Sequence, residues 1–139
     1  MIIYDPKIAI LLIAFNRSNI KQVFDRIKVV KPRRLYIAVD ESTNDTQCKI
    51  CKETTSIVSH IDWECQVFKL YQEKNQGYDK HCFDSISWFF EQEPEGVILE
   101  DDCVPSISFF GFCTTLLEKF RHDERIGHIS GSNYQFGKN

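Results

Sequence analysis

The amino-acid sequence predicts an α/β fold, a Rossmann-like three-layer α/β/α sandwich around a mostly parallel sheet. Three observations carry that expectation. Short β-rich apolar runs alternate with amphipathic stretches of helical period; the first run, Ile8 to Phe15, is apolar without a break, as in a strand buried on both faces; and the residues that follow each run are unusually polar.

After the Ile8–Phe15 strand, Asn19 opens a helix, with Gln22 three residues on as in a capping box. Ile20, Val23, Phe24, Ile27 and Val30 form its apolar stripe, and Pro32 stops it. Leu35 to Val39 is the second strand, ending in the polar turn Asp40 to Asp45. A second helix fits 46–61 with Ile50, Thr54, Ile57, Val58 and Ile61 on one face, and Trp63 to Tyr71 reads as the third strand. Asn75-Gln76-Gly77 is a turn, after which Tyr78, Cys82, Ser85, Ile86, Phe89 and Phe90 line a third helix, broken by Pro94-Glu95-Gly96. Val97-Ile98-Leu99 is a fourth strand that runs into Glu100-Asp101-Asp102. Pro105 and Ser106 or Ser108 open a fourth helix with Phe109, Cys113, Leu116, Leu117 and Phe120 inward, and Ile126 to Ser130 reads as a fifth strand. With no internal repeat or linker, residues 1–139 are expected to be a single domain.

Composition narrows the function classes. The 139 residues, 42% hydrophobic and 27% charged, suit one soluble globular domain and exclude disordered and fibrous classes. A net charge of -3 gives no general attraction to nucleic acid or anionic lipid, and the densest basic cluster is Lys31-Pro32-Arg33-Arg34. The Ile8–Phe15 run is too short for a transmembrane segment and lacks the flanks of a signal peptide, so a cytoplasmic location with reduced thiols is expected for the six cysteines. Cys48-x-x-Cys51 lacks the second ligand pair that structural zinc needs.

In an open parallel sheet, ligands collect at the carboxyl ends of the strands. Here those ends give Asn16-Arg17-Ser18, Asp40-Glu41-Ser42, Asn75-Gln76-Gly77 and Glu100-Asp101-Asp102. Three consecutive carboxylates at a partly desolvated edge repel one another unless a cation neutralises them. Hard oxygen ligands suit Mg²⁺ or Mn²⁺, which complete their shells with water and substrate phosphate, so a metal-bridged diphosphate is the natural ligand. Strand alternation sends Glu100 and Asp102 to one face and Asp101 to the other. Acidic residues at a strand end also cap helices or face water, and both readings stand at this point. The chain carries neither a G-x-G-x-x-G after the first strand nor a P-loop, which argues against dinucleotide and P-loop ligands. Arg17 could donate to the diphosphate. His60, His81, His122 and His128 show no ligand spacing and are read by default as surface or satisfied histidines. A receiver or phosphatase domain would also place acids at strand ends, but no suitable Lys partner is evident.

Ile10 to Arg17, Ala38-Val39-Asp40-Glu41-Ser42, Asn75-Gln76-Gly77 and Val97 to Ser106, in that order and spacing, resemble the start of GT-A glycosyltransferases. They are similar above all to bacterial nucleotide-diphospho-sugar transferases akin to N-acetylglucosaminyltransferase I. That resemblance implies metal-dependent transfer of a sugar from a nucleotide-sugar donor, with UDP as the expected nucleotide, to a glycan or other hydroxyl acceptor. It implies that Phe15, Asn16 and Arg17 line the nucleotide pocket, and that Asp40 pairs with the uracil edge. Glu100-Asp101-Asp102 corresponds to the DXD-type motif: Asp102 would ligate Mn²⁺, with Glu100 and Asp101 on the donor sugar and ribose. Gln76, Gly77 and the helix start from Tyr78 to His81 would close over the donor. Members of the family continue past this length into an acceptor-binding half, so the alternative expectation is a donor-binding domain without turnover.

Overall fold

The computed structural model describes residues 3–15, 19–40, 52, 54, 56, 57, 59–72 and 75–132. Within them the chain runs β1 (Ala9–Ala14), α1 (Ile20–Val30), β2 (Arg34–Val39), β3 (Gln66–Tyr71), α2 (Tyr78–Phe90), β4 (Gly96–Glu100) and α3 (Ile107–Phe120). The four strands form one all-parallel sheet in the order β3-β2-β1-β4.

The unbroken apolar run explains why β1 is central: all six of its residues are buried. Alternation splits them between two cores. Ile10, Leu12 and Ala14 join Leu35, Ile37, Val39, Val97 and Leu99 on one face, whereas Ala9, Leu11 and Ile13 join Tyr36 and Ala38 on the other. In the register, Leu12 stands between Ile37 and Leu99, so each strand's apolar set meets its neighbours at the same height.

The first face is covered by the α1 stripe Ile20, Val23, Phe24 and Ile27, and by Phe110 of α3. The second is covered by α2, whose buried positions His81, Ser85 and Phe89 follow the four-residue spacing of one helix face. Phe89 is fully buried and meets Tyr36 edge-on at 4.9 Å, while Tyr36 stacks on Phe68 at 4.5 Å. α1 links β1 to β2, and α2 lies in the link from β3 back across to β4; these steps run in opposite directions. Keeping both crossovers right-handed puts the two helices on opposite faces.

At the amino end of the sheet, Glu93 is 6% exposed and collects three hydrogen bonds. Arg34 donates through Nε at 2.5 Å and Nη2 at 3.0 Å, and the Tyr36 hydroxyl donates at 2.9 Å. Burial and the adjoining carboxylate push the Tyr36 phenol up to about 12. A charged group at that depth is tolerable because its acceptor sites are filled.

Several sequence expectations are corrected in detail. Asn19 occupies the N-cap position of α1, but its side chain makes no capping hydrogen bond, because its backbone is already helical (φ -94°, ψ -1°) and not in the extended conformation that aims a cap. The helix ends at Lys31, which is left-handed at φ 50° and donates its N–H to Ile27 O at 3.0 Å ahead of Pro32. Of the helix expected over 46–61, Lys52, Thr54, Ser56, Ile57 and Ser59 have helical backbone; most of the remainder, with Cys48 and Cys51, lies outside the described residues. The third strand begins at Gln66, not Trp63, since Trp63 turns aside to donate its indole N–H to Pro32 O at 2.9 Å.

The buried anchor of α3 is Phe110, fully enclosed, with Phe109, Cys113 and Leu117 packed around it. The fifth strand expected at Ile126–Ser130 does not form: those residues pair with no strand and are exposed. Gly127 and Gly131 weaken any strand there, and Gly131 lies so close over Phe109 that an added Cβ would come within 2.9 Å of its Cδ2. The contact with α3 is made just beyond the segment, at Gly131, and no residue of the segment pairs with β4. No helix among the described residues is long and apolar enough to cross a membrane.

Candidate functional site

A parallel sheet points all its strand exits the same way, so Phe15, Asp40, the 75–77 turn and Glu100 to Asp102 share the carboxyl edge. The order β3-β2-β1-β4 places the reversal of strand order between β1 and β4. Ligands of open α/β sheets sit in the crevice outside such a reversal. The acids therefore follow one of the two strands that flank it, and Phe15 follows the other.

The three acids occupy different environments. Asp101 is 1% exposed; its N–H donates to Ile13 O at 3.1 Å, and its Oδ2 accepts the Phe15 N–H at 2.8 Å. Its observed contacts are internal and fix the direction in which the chain leaves β1. Glu100 and Asp102 are half-buried on the other side of the backbone, as alternation requires. One carboxylate oxygen from each, together with Cys103 Sγ, lies within 4.8 Å of the others. The Cys103 thiol donates to Asp102 Oδ1 at 3.4 Å. Two half-exposed carboxylates at this spacing fit a hard divalent cation that takes its remaining ligands from water and phosphate, while a thiol is a poor ligand for Mg²⁺.

Across the crevice, Asp40 is 5% exposed and its Oδ1 accepts the Gln76 N–H at 2.9 Å, which ties the β2 exit to the turn before α2. Gly77 follows at φ 79°, a conformation few side chains adopt, with its N–H bonded to Asn75 Oδ1 at 2.9 Å. That turn delivers Tyr78 over Phe15, the rings stacked at 4.7 Å, and the Tyr78 hydroxyl reaches Glu100 Oε1 at 3.2 Å. The carboxylate's charge pushes the Tyr78 phenol up to about 12, so the hydroxyl is a donor at neutral pH.

Among the histidines, His60, His122 and His128 are exposed, as read from the sequence, but His81 is fully buried at the floor of the crevice. Its ring meets Phe15 edge-on at 5.1 Å, and Nε2 makes no hydrogen bond of good geometry. Burial pushes its pKa below the ordinary histidine value, although Asp40 and the nearby Ala38 and Ala14 carbonyls act in the opposite sense. The signal that could have found it is its spacing from Ser85 and Phe89, which puts it on the inward face of α2.

Of the residues singled out in the sequence, Phe15, Asp40, Gln76, Gly77, Glu100, Asp101 and Asp102 are thus brought to one edge of the sheet. Asn16 and Arg17 lie outside the described residues. Comparisons with protein-family models, with curated proteins and with solved structures found no match to this chain.

Proposed function

We propose that this chain is the donor-binding part of a metal-dependent glycosyltransferase with the GT-A form of the Rossmann-like three-layer sandwich. The observation that supports it most is the half-exposed Glu100–Asp102 pair at the strand-order reversal, linked through Tyr78 to the ring of Phe15 at the neighbouring exit. In this reading Asp102 and Glu100 hold Mn²⁺ or Mg²⁺. The cation, when bound, supplies Lewis-acid stabilisation of the charge on a departing nucleoside diphosphate. Phe15 offers an apolar ring to the base, and Asp40, held by the Gln76 N–H, offers an acceptor to an imide N–H such as that of uracil. Asp101 acts indirectly by holding Phe15 through its backbone. Gln76 and Gly77 set the entry of α2 over the crevice, and Arg17 and Asn16 complete the phosphate side in the resemblance.

Calorimetry with UDP and Mn²⁺ tests the reading. Binding that requires the cation and is lost in Asp102→Ala is the expected result; binding that ignores both the cation and Asp102 defeats it. Release of free sugar or transfer from a UDP-sugar by the same chain then separates an enzyme from a donor-binding domain.

A further inference from the structure

The exits of β1 and β4 are bridged by a single side chain from a third element. Tyr78, the first residue of α2, is 48% exposed, yet both its ring and its hydroxyl are engaged. The ring stacks on Phe15 at 4.7 Å with 29° between planes, which covers the aromatic face that a planar ligand would use. The hydroxyl donates to Glu100 Oε1 at 3.2 Å and takes one oxygen of the half-exposed carboxylate that lies with Asp102. A ligand that uses both the ring and that carboxylate oxygen competes with Tyr78 for them. Its backbone anchorage allows a change: Gly77 on its amino side has open space around it, while Gln76, one residue further back, stays tied to Asp40. Because about half of Tyr78 is already exposed, its side chain has solvent to rotate into about its own bonds, while the turn before it stays tied to Asp40.

We propose that Tyr78 is a gate over the Phe15–Glu100 crevice, displaced when a heteroaromatic base stacks on Phe15 and a divalent cation takes Glu100; this rests on the nucleotide reading of the site. The hydrogen bond and the stack are a cost that the ligand meets on entry, so they lower its affinity. Removing them strengthens binding. Loss of one hydrogen bond to a charged, partly exposed acceptor corresponds to about a threefold to tenfold change.

The test measures UDP binding with Mg²⁺ by calorimetry in the wild-type chain, Tyr78→Phe and Tyr78→Ala, alongside the ring resonances of ¹³C-labelled tyrosine. Tighter binding in Tyr78→Phe by about threefold to tenfold, tighter still in Tyr78→Ala, with the Tyr78 resonance moving towards an exposed ring on UDP addition, is the expected result. Equal or weaker binding in Tyr78→Ala, while the wild-type chain binds, overturns the gate alone and makes Tyr78 an ordinary part of the binding surface or a bystander. Absence of UDP binding in all three proteins overturns the nucleotide reading and the gate with it. Circular dichroism of the variants checks that the fold is retained, which the exposure of Tyr78 leads one to expect.

Discussion

Gly96→Ala tests the packing that carries β4, and with it the acids, into place. Gly96 opens β4 opposite Ala9, under the ring of Phe89. A Cβ there would come 2.7 Å from Phe89 Cε1 and 2.9 Å from the Ala9 carbonyl oxygen, against an ordinary carbon contact of about 3.5–4.0 Å. Relief needs a shift of roughly 1 Å. Phe89 is fully buried between Tyr36 and Phe90, and the carbonyl belongs to the central strand, so neither neighbour yields freely. Overpacking of this kind costs about 1–3 kcal/mol, offset by about 0.5–1 kcal/mol because alanine restricts the unfolded chain. With the middle of each range, about 2 less about 0.75, a net loss of about 1 kcal/mol follows, which for a domain of this size lowers Tm by about 4 °C. Urea and thermal unfolding followed by circular dichroism measure it. In a Phe89→Leu background the loss from Gly96→Ala should shrink by about 1 kcal/mol, since the ring is gone. An unchanged or raised Tm in the single variant, or the same loss in both backgrounds, would falsify the packing argument.

Four further outcomes are expected. Glu93→Gln should lower stability by about 1–2 kcal/mol, a figure kept modest because Arg34 is partly exposed, and should bring the Tyr36 phenol down from about 12. In the parent chain the native state keeps that proton above the ordinary tyrosine value, so stability falls between pH 10 and about 12; a urea midpoint flat across this window contradicts it. The depressed His81 pKa works in the opposite direction: the unfolded chain binds a proton that the native state resists, so stability is lost as pH falls below 6.5. His81→Gln should flatten that slope between pH 6.5 and 5, and an equal slope in the variant refutes the assignment. Finally, burial pushes the Cys113 thiol up to about 12, whereas Cys103 is exposed, so peptide mapping after brief iodoacetamide treatment at pH 8 should find Cys103 alkylated well before Cys113; the reverse order contradicts the placement.

What the sequence made legible was set by local physics. An apolar run without a polar break has few places to go but the middle of a parallel sheet, and β1 lies there. Helical spacing at Ile20, Val23, Phe24 and Ile27 named the buried stripe of α1 residue by residue. Strand exits place their polar residues on one edge wherever the sheet is parallel, which gathered Asp40, Gln76 and Glu100 without any knowledge of strand order. Long-range information was harder to read. That β4 docks beside β1, and not beyond β3, depends on crossover direction, which no short motif records. Phe109 and Phe110 are equivalent as letters, and the sequence pattern chose Phe109 as the inward residue, whereas Phe110 is the one fully enclosed. Ile126 to Ser130 looked like a strand by composition, yet strand formation needs a partner edge, and these residues pair with none. His81 was discounted because the four histidines show no ligand spacing among themselves; the spacing that mattered was to Ser85 and Phe89 on the buried face of α2.

The sheet order also dictates when the crevice can exist. β1 meets β2 across a chain separation of roughly 25 residues, whereas Asp101 and Phe15, which join the β4 and β1 exits, stand 86 apart. Closing the longer loop costs about 1 kcal/mol more entropy and contributes little until β4 is seated. During folding, the β1–α1–β2 unit should therefore consolidate early and the β4 strand zip in late, so that the acids and their aromatic wall come together in the closing event.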